Sequence, residues 1–166
     1  MKRILVVFIF TLSIANLVAA QELVAKFDSV TASSDDMNVE ITWRLSGIWP
    51  REQVHNIVYA RAEATYVCLD RSGRMKVADH ENQSELLRPE ADFTASRKGT
   101  ARGKLLLRPP SVGMFTCAPD QDLQLACASY SDLVCRDDTH DLDRPIKQRF
   151  VTYKPGYAEF CALDLR

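Results

Sequence analysis

The sequence predicts an all-β fold: an antiparallel sandwich of about seven to nine strands, stapled by disulfides. Three observations carry that expectation. Apolar and polar residues alternate with a period of two in several long stretches. Turn-forming clusters interrupt these stretches about every ten residues. Five cysteines follow a leader of the kind that directs export.

The leader is read first, because it sets the compartment. Met1-Lys2-Arg3 forms a short basic start, Ile4 to Val18 is almost wholly apolar, and Val18-Ala19-Ala20 supplies a cleavage-like ending before Gln21. This is the pattern of a secretory signal peptide over residues 1–20. The apolar run is shorter than the ~20 residues of a membrane span, and no later run is long enough to be one. Residues 21–166 then form a single domain, long enough to bury a substantial core. Two of the 21 basic residues lie in the leader, so 19 face 22 acids in the mature chain, a formal charge of −3. That balance disfavours a nucleic-acid partner, and the local basic clusters Arg97-Lys98 and Arg102 to Arg108 read as solvated faces.

The strands follow in order. Leu23–Val30 is a candidate. Val39, Ile41, Trp43 and Leu45 alternate with Asn38, Glu40, Thr42 and Arg44, which gives a strand with one apolar face and Trp43 in the core. Val54, Val58, Ala60, Ala62, Ala64, Tyr66 and Cys68 line one face of a long strand. Shorter candidates are Met75–Ala78, Ala91–Ala95, Gly103–Leu107, Gln148–Tyr153 and Ala158–Ala162. Leu123, Leu125, Cys127, Ser129, Ser131, Leu133 and Cys135 share one parity on another long segment. "ENQSELL" (81–87) is read as a short turn of helix. Turns fall at "ASSDD" (32–36), "GIWPRE" (47–52), "DRSG" (70–73), "RKGTARG" (97–103), "RPPSVG" (108–113) and "KPG" (154–156).

Such a pattern is immunoglobulin-like in architecture. The antibody signature is absent, since Trp43 precedes Cys68 and does not stand between two bridging cysteines. The segments "NVEITWRLSG" (38–47), "ATYVCLDRSGRMKVAD" (64–79), "FTASRKGTARGKLLLRPP" (93–110) and "FTCAPDQDLQLACASYSDLVCRD" (115–137) together resemble small exported immunoglobulin-like β-sandwich proteins of poorly defined function. In those, a Tyr-x-Cys strand and a Cys-Pro strand start frame the middle of the domain. Here Ala118 separates Cys117 from Pro119, and Cys127, Cys135 and Cys161 are additions. The resemblance implies the fold class and a bond between Cys68 and Cys117.

Both of those cysteines stand at strand edges, which a sandwich can bring together. The remaining three cannot all pair. On one unbroken strand Cys127 and Cys135 would lie about 26 Å apart at ~3.3 Å per residue, whereas a disulfide needs Cα atoms within about 7 Å. They can join only if the chain reverses at "SYSD". The preferred reading is Cys135 with Cys161, tying down the C-terminal strand, with Cys127 left as a buried free thiol. A Cys127–Cys135 hairpin bond stays open as the alternative.

Candidate chemistry is sparse. His140 sits among Asp137, Asp138, Asp141 and Asp143, a set of oxygen ligands that suits calcium. The loop lacks the sharp-turn Gly and the distal Glu of a known calcium loop, so a solvated acidic loop is the favoured reading. Asp79-His80-Glu81 and the His140 segment are the places where a hydrolase would need its base. No Gly-x-Ser-x-Gly, HExxH, phosphate-cradling loop or CxxC is present. Asn82-Gln83-Ser84 is a sequon, and so a candidate glycosylation site in a eukaryote. Trp49, in a loop before Pro50, is a candidate partner contact. The expectation is a secreted binding or structural protein, recognising an extracellular protein, surface or glycan without a cofactor. A His-dependent hydrolase and a calcium-stabilised adhesion module are the alternatives.

Overall fold

The structure, a computed structural model, describes residues 23–71 and 77–161. The leader at 1–20 lies outside the described residues. The described chain is all-β, with antiparallel sheets and two disulfides. Its strands are β1 (Lys26–Asp35), β2 (Asn38–Ser46), β3 (Gln53–Asp70), β4 (Val77–Leu87), β5 (Glu90–Thr94), β6 (Thr100–Leu107), β7 (Gln121–Asp137), β8 (Leu142–Ile146) and β9 (Phe150–Tyr153). A single 3₁₀ turn, Ala158–Cys161, follows.

Strands β1, β2 and β6 form a small sheet in that order. The larger sheet runs β4-β3-β7-β8, with β5 also on β3 and β9 also on β7. The two sheets face each other across one core, in a sandwich-like arrangement. Val39, Ile41, Trp43 and Leu45 come from β2, and Ala101, Leu105 and Leu107 from β6. They meet Val54, Val58, Ala60 and Ala62 of β3 and Ala128, Tyr130, Leu133 and Cys135 of β7. The alternation read in β2, and in β3 as far as Ala62, is thus the alternation of a sheet face turned to the core; Ala64, Tyr66 and Cys68 lie outside that core. Tyr130 is fully buried, and its hydroxyl donates to the Met37 carbonyl at 2.8 Å. Burial raises its pKa, so it stays a neutral donor.

Phe93 of β5 ties the sheets together at one point. Its ring meets Trp43 edge-on, with centroids 4.8 Å apart. Gly103 stands directly opposite Trp43 on β6, and a Cβ there would run into the Phe93 ring. The glycine makes room for the aromatic pair.

Four elements differ from expectation. β8 (Leu142–Ile146) forms where no strand is expected, and β1 runs through most of "ASSDD" to Asp35, leaving the turn to Asp36 and Met37. The segment 81–87 is strand, part of β4, and not helix. Its backbone is held by β3 from Ala60↔Leu87 to Cys68↔Asp79, and that pairing outweighs the local preference. Ala158–Cys161 is a 3₁₀ turn and not a strand. It is held to the sheet by a disulfide and has no ladder of its own.

The cysteine pairing needs a correction. Cys68 is bonded to Cys117, with Cα atoms 5.5 Å apart. Cys127, and not Cys135, is bonded to Cys161, and Cys135 is the buried free thiol. The chain does not reverse at "SYSD". Instead β7 bulges there: Arg61 pairs with Ser131 and Tyr59 with Val134, so two residues of β7 oppose one of β3. Asp132 takes the strain with φ of 52°. The bulge resets the parity of everything after it. Ala128 and Tyr130 point into the core before it, and Leu133 and Cys135 after it. Cys127 faces the other side of the sheet, where Cys161 waits. A shared parity over 123–135 would hold only for an unbroken ladder.

Candidate functional site

The loop from Gly47 to Glu52 carries the chain from the small sheet to the large one. Ile48 is buried and pins the loop to the core, while Trp49 beside it is 65% exposed. Gly47 has φ of 74°, and a side chain there would run into the Val24 carbonyl. Arg51 holds φ of 65°. Such left-handed conformations are costly for ordinary residues and persist where surrounding bonds enforce them.

Those bonds are present. The Trp49 backbone nitrogen donates to Glu52 Oε2 at 2.8 Å, and the Glu52 nitrogen returns a bond to the Trp49 carbonyl at 3.2 Å. Ala95 N donates to the Glu52 carbonyl at 2.8 Å, and Ile48 N to the Gly99 carbonyl at 3.5 Å. The loop is therefore fastened to the turn between β5 and β6. Trp49 is an exposed indole on a fixed backbone.

His140 braces the same loop from the opposite strand pair. Its Nδ1 lies 2.6 Å from Asp137 Oδ2, and its Nε2 lies 3.4 Å from Glu52 Oε1. Asp137 is fully buried, and its other oxygen accepts from the Thr139 backbone at 3.1 Å. Thr139 Oγ1 accepts from the His55 backbone at 2.8 Å. Both ring nitrogens of His140 thus face carboxylates, and among the described residues no hydroxyl or thiol is bonded to them. The arrangement holds a loop. It gives no nucleophile–base pair.

The acidic loop organises around a cation of its own. Arg136 is within 3.1 Å of Asp138, 2.6 Å of Asp141 and 3.1 Å of Asp143. Asp141 sits at φ of 55° in the turn between β7 and β8. The fourth carboxylate, Asp137, turns inward to His140. Among the described residues, no group of three or more His, Cys, Asp or Glu side chains is arranged to hold a metal ion.

The other singled-out residues lie elsewhere. His80 is exposed on β4, and its backbone nitrogen bonds the Asp79 carboxylate. Asn82, also exposed on β4, accepts from Thr65 Oγ1 at 2.9 Å through its own Oδ1. It lines a depression of about 100 Å³ beneath the Cys127–Cys161 bond, together with Glu63, Thr65, Ser129 and Arg149. Ser129 Oγ donates to Glu63 at 3.2 Å there. That volume is below the ~300 Å³ at which ligand pockets begin. The structure brings Trp49 and His140 together through Glu52, and leaves His80 and Asn82 on a different strand. Sequence reading passed over Glu52. It lies 88 positions from His140, and no local pattern marks such a contact.

No protein-family model matches the sequence, and no curated protein matches it. Among solved structures, β-glucosidase 3B from Thermotoga neapolitana bound to α-D-glucose is similar at 8% identity and a TM-score of 0.34. The match covers 79% of this chain and 17% of that enzyme. Spo0M, a sporulation control protein from Bacillus subtilis, is similar at 12% identity and a TM-score of 0.30, over 78% of this chain and 48% of that one. The chain thus spans less than half the length of either neighbour, and likenesses this distant carry no functional argument. Among the described residues, no helix is long and apolar enough to cross a membrane.

Proposed function

We propose that the protein is an exported, immunoglobulin-like β-sandwich that acts without catalysis, by binding an extracellular protein, surface or glycan through the end that carries Trp49. The single observation behind this reading is a large indole held 65% exposed on a braced loop. An aromatic ordered in advance loses little entropy when a partner covers it, and such residues dominate binding energy at interfaces. The leader pattern at 1–20 and the two disulfides support export.

The test is binding of the mature chain to arrays of extracellular glycans and matrix proteins. Trp49→Ala should weaken capture by about tenfold or more, with an unchanged melting temperature because the indole is 65% exposed and belongs to neither core cluster. Capture that survives Trp49→Ala unchanged would sink the assignment of this end. Export is tested separately, by N-terminal sequencing of the secreted product, which should begin at Gln21.

A further inference from the structure

We infer that the Trp49 end continues into a binding track for a linear anionic polysaccharide, formed by Arg44, Arg51, Arg97, Lys98 and Arg102. This rests on the reading of that end as a binding surface and names its ligand class.

The charge pattern is the first ground. From Phe93 to Pro119 the chain carries five cations, Arg97, Lys98, Arg102, Lys104 and Arg108, and no carboxylate. In a protein of formal charge −1, that is a strong local excess. Among the described residues only Lys104 has an ion-pair partner, Glu40 at 3.0 Å. Arg97, Lys98, Arg102 and Arg108 make no ion pair with the described residues.

Register supplies the second ground. Arg44 on β2 stands directly opposite Arg102 on β6, and both are exposed on the outer face of the small sheet. Like charges facing each other across a ladder are destabilising. Asp28, 3.4 Å from Arg44, offsets one of them and leaves Arg102 without a counter-charge. An anion lying between the two guanidiniums would relieve the repulsion.

Continuity is the third ground. The turn bearing Arg97 and Lys98 is bonded to the Trp49 loop through Ile48 N to Gly99 O and Ala95 N to Glu52 O. Gly99, at φ of 67°, allows that approach, since a side chain there would run into the Ile48 carbonyl. Arg51 is exposed two positions from Trp49. Next along the ladder come the hydroxyl pair Ser46 and Thr100, then Arg44 and Arg102, then Thr42 opposite Lys104. Successive outward positions on a strand are ~6.6 Å apart. The track is therefore linear and cationic, with an aromatic at one end; the Ser46 hydroxyl is held by Asp28 at 2.6 Å and the Thr100 hydroxyl by Ser96 at 2.8 Å. Such a track suits a chain of sugar rings bearing sulfate or carboxylate groups. A single-stranded nucleic acid fits less well, because its bases stack on several successive aromatics, and Trp49 is the one aromatic among the described residues of this track.

The probes are immobilised heparin, neutral dextran and single-stranded oligothymidine, tested with the mature protein. Heparin should bind, and binding should weaken with added salt; dextran should not bind. Arg97→Ala/Arg102→Ala should lose about tenfold in heparin affinity. Lys147→Ala/Lys154→Ala removes the same charge from other exposed positions and should stay within about twofold. Melting temperatures establish that both variants are folded. Equal losses in the two double variants, no heparin binding, or oligothymidine binding as tight as heparin would each overturn the track. If heparin is ignored while Trp49→Ala still abolishes capture of a neutral glycan or a protein, the track fails and the binding end stands.

Discussion

Cys127 and Cys135 lie on one strand and on opposite faces of it, separated by the bulge at Asp132. Their fates follow from that. Cys127 is bonded to Cys161, while Cys135 is buried in the core with its thiol pKa pushed up to about 12, first by burial and then by the nearby Asp137. Native protein at pH 8 should therefore show no alkylation of Cys135 by iodoacetamide, and unfolded protein should show one modified cysteine. The raised value also has a sign for stability. Only the unfolded chain can ionise this thiol between its ordinary pKa of 9 and about 12, so stability should fall as pH rises through that window. Cys135→Ala should flatten the alkaline fall.

The two disulfides close separations of 49 and 34 residues. In the chain-entropy model each stabilises by about 4 kcal/mol. Cys117→Ala and Cys161→Ala should each lower the melting temperature by about 10 °C. Non-reducing peptide mapping should find Cys68 linked to Cys117 and Cys127 linked to Cys161. A Cys135-containing disulfide peptide in the native protein would contradict the bulge.

Residue alternation was enough to place the core of β2, and of β3 from Val54 to Ala62, because parity there converts directly into facing; farther along β3, where its ladders shift at Thr65/Tyr66 and Cys68/Leu69, Tyr66 and Cys68 share the parity and lie outside that core. The same rule failed on β7. A bulge of one residue carries no apolar signature, and "SYSD" contains no Gly to announce it. Trp43 was legible as core from its strand. Its packing was not, because Phe93 and Gly103 reach it from two other strands. At the candidate site, Trp49 and His140 were each conspicuous locally. What joins them is Glu52, and that contact exists only once the two sheets close. The charge balance was legible and its distribution was not: of Arg97, Lys98, Arg102, Lys104 and Arg108, Lys104 alone meets an acid among the described residues, and Glu40 reaches it from another strand.

Gly103→Ala tests the aromatic contact between the sheets. The added methyl meets the Phe93 ring and must push it off Trp43. Overpacking of this kind costs about 1–3 kcal/mol. The near-ultraviolet circular dichroism of Trp43 should change with it. Gly103→Ala/Phe93→Leu should recover part of the loss, whereas independent, additive costs would mean that the two residues are not in conflict.

His55 gives a surface charge effect with a defined direction. Its pKa is raised above 6.5, chiefly by the hydrogen bond to Asp92 at 2.8 Å; desolvation opposes this, and the charges of Asp92, Glu90 and Asp138 add attraction. The folded chain holds this proton more tightly than the unfolded one. Its stabilisation is complete below pH 6.5 and is lost as pH rises through the folded value. A proton-resonance titration should place the His55 midpoint above 6.5, and Asp92→Asn should bring it down. A midpoint unmoved by Asp92→Asn would leave the hydrogen bond without a role.

His140 separates a brace from a catalytic base. Asp137 is wholly buried, and among the described residues the imidazole is the only side chain bonded to its Oδ2. His140→Ala strands that oxygen, at a cost of about 1–3 kcal/mol or more because the group is a carboxylate. Asn places a donor near the position of Nδ1 and none near Nε2. His140→Asn should therefore keep most of the stability and lose only the reach to Glu52. The Trp49 loop should hold its shape in His140→Asn, since Glu52 still accepts from the Trp49 backbone and bonds Ala95 through its carbonyl. Acrylamide quenching of Trp49, read in a Trp43→Phe background, should match the parent. In His140→Ala the loss of Asp137's partner should loosen the turn between β7 and β8, and quenching should rise. Equal stability of His140→Ala and His140→Asn would show that the ring does not serve Asp137, and the histidine would then need another role.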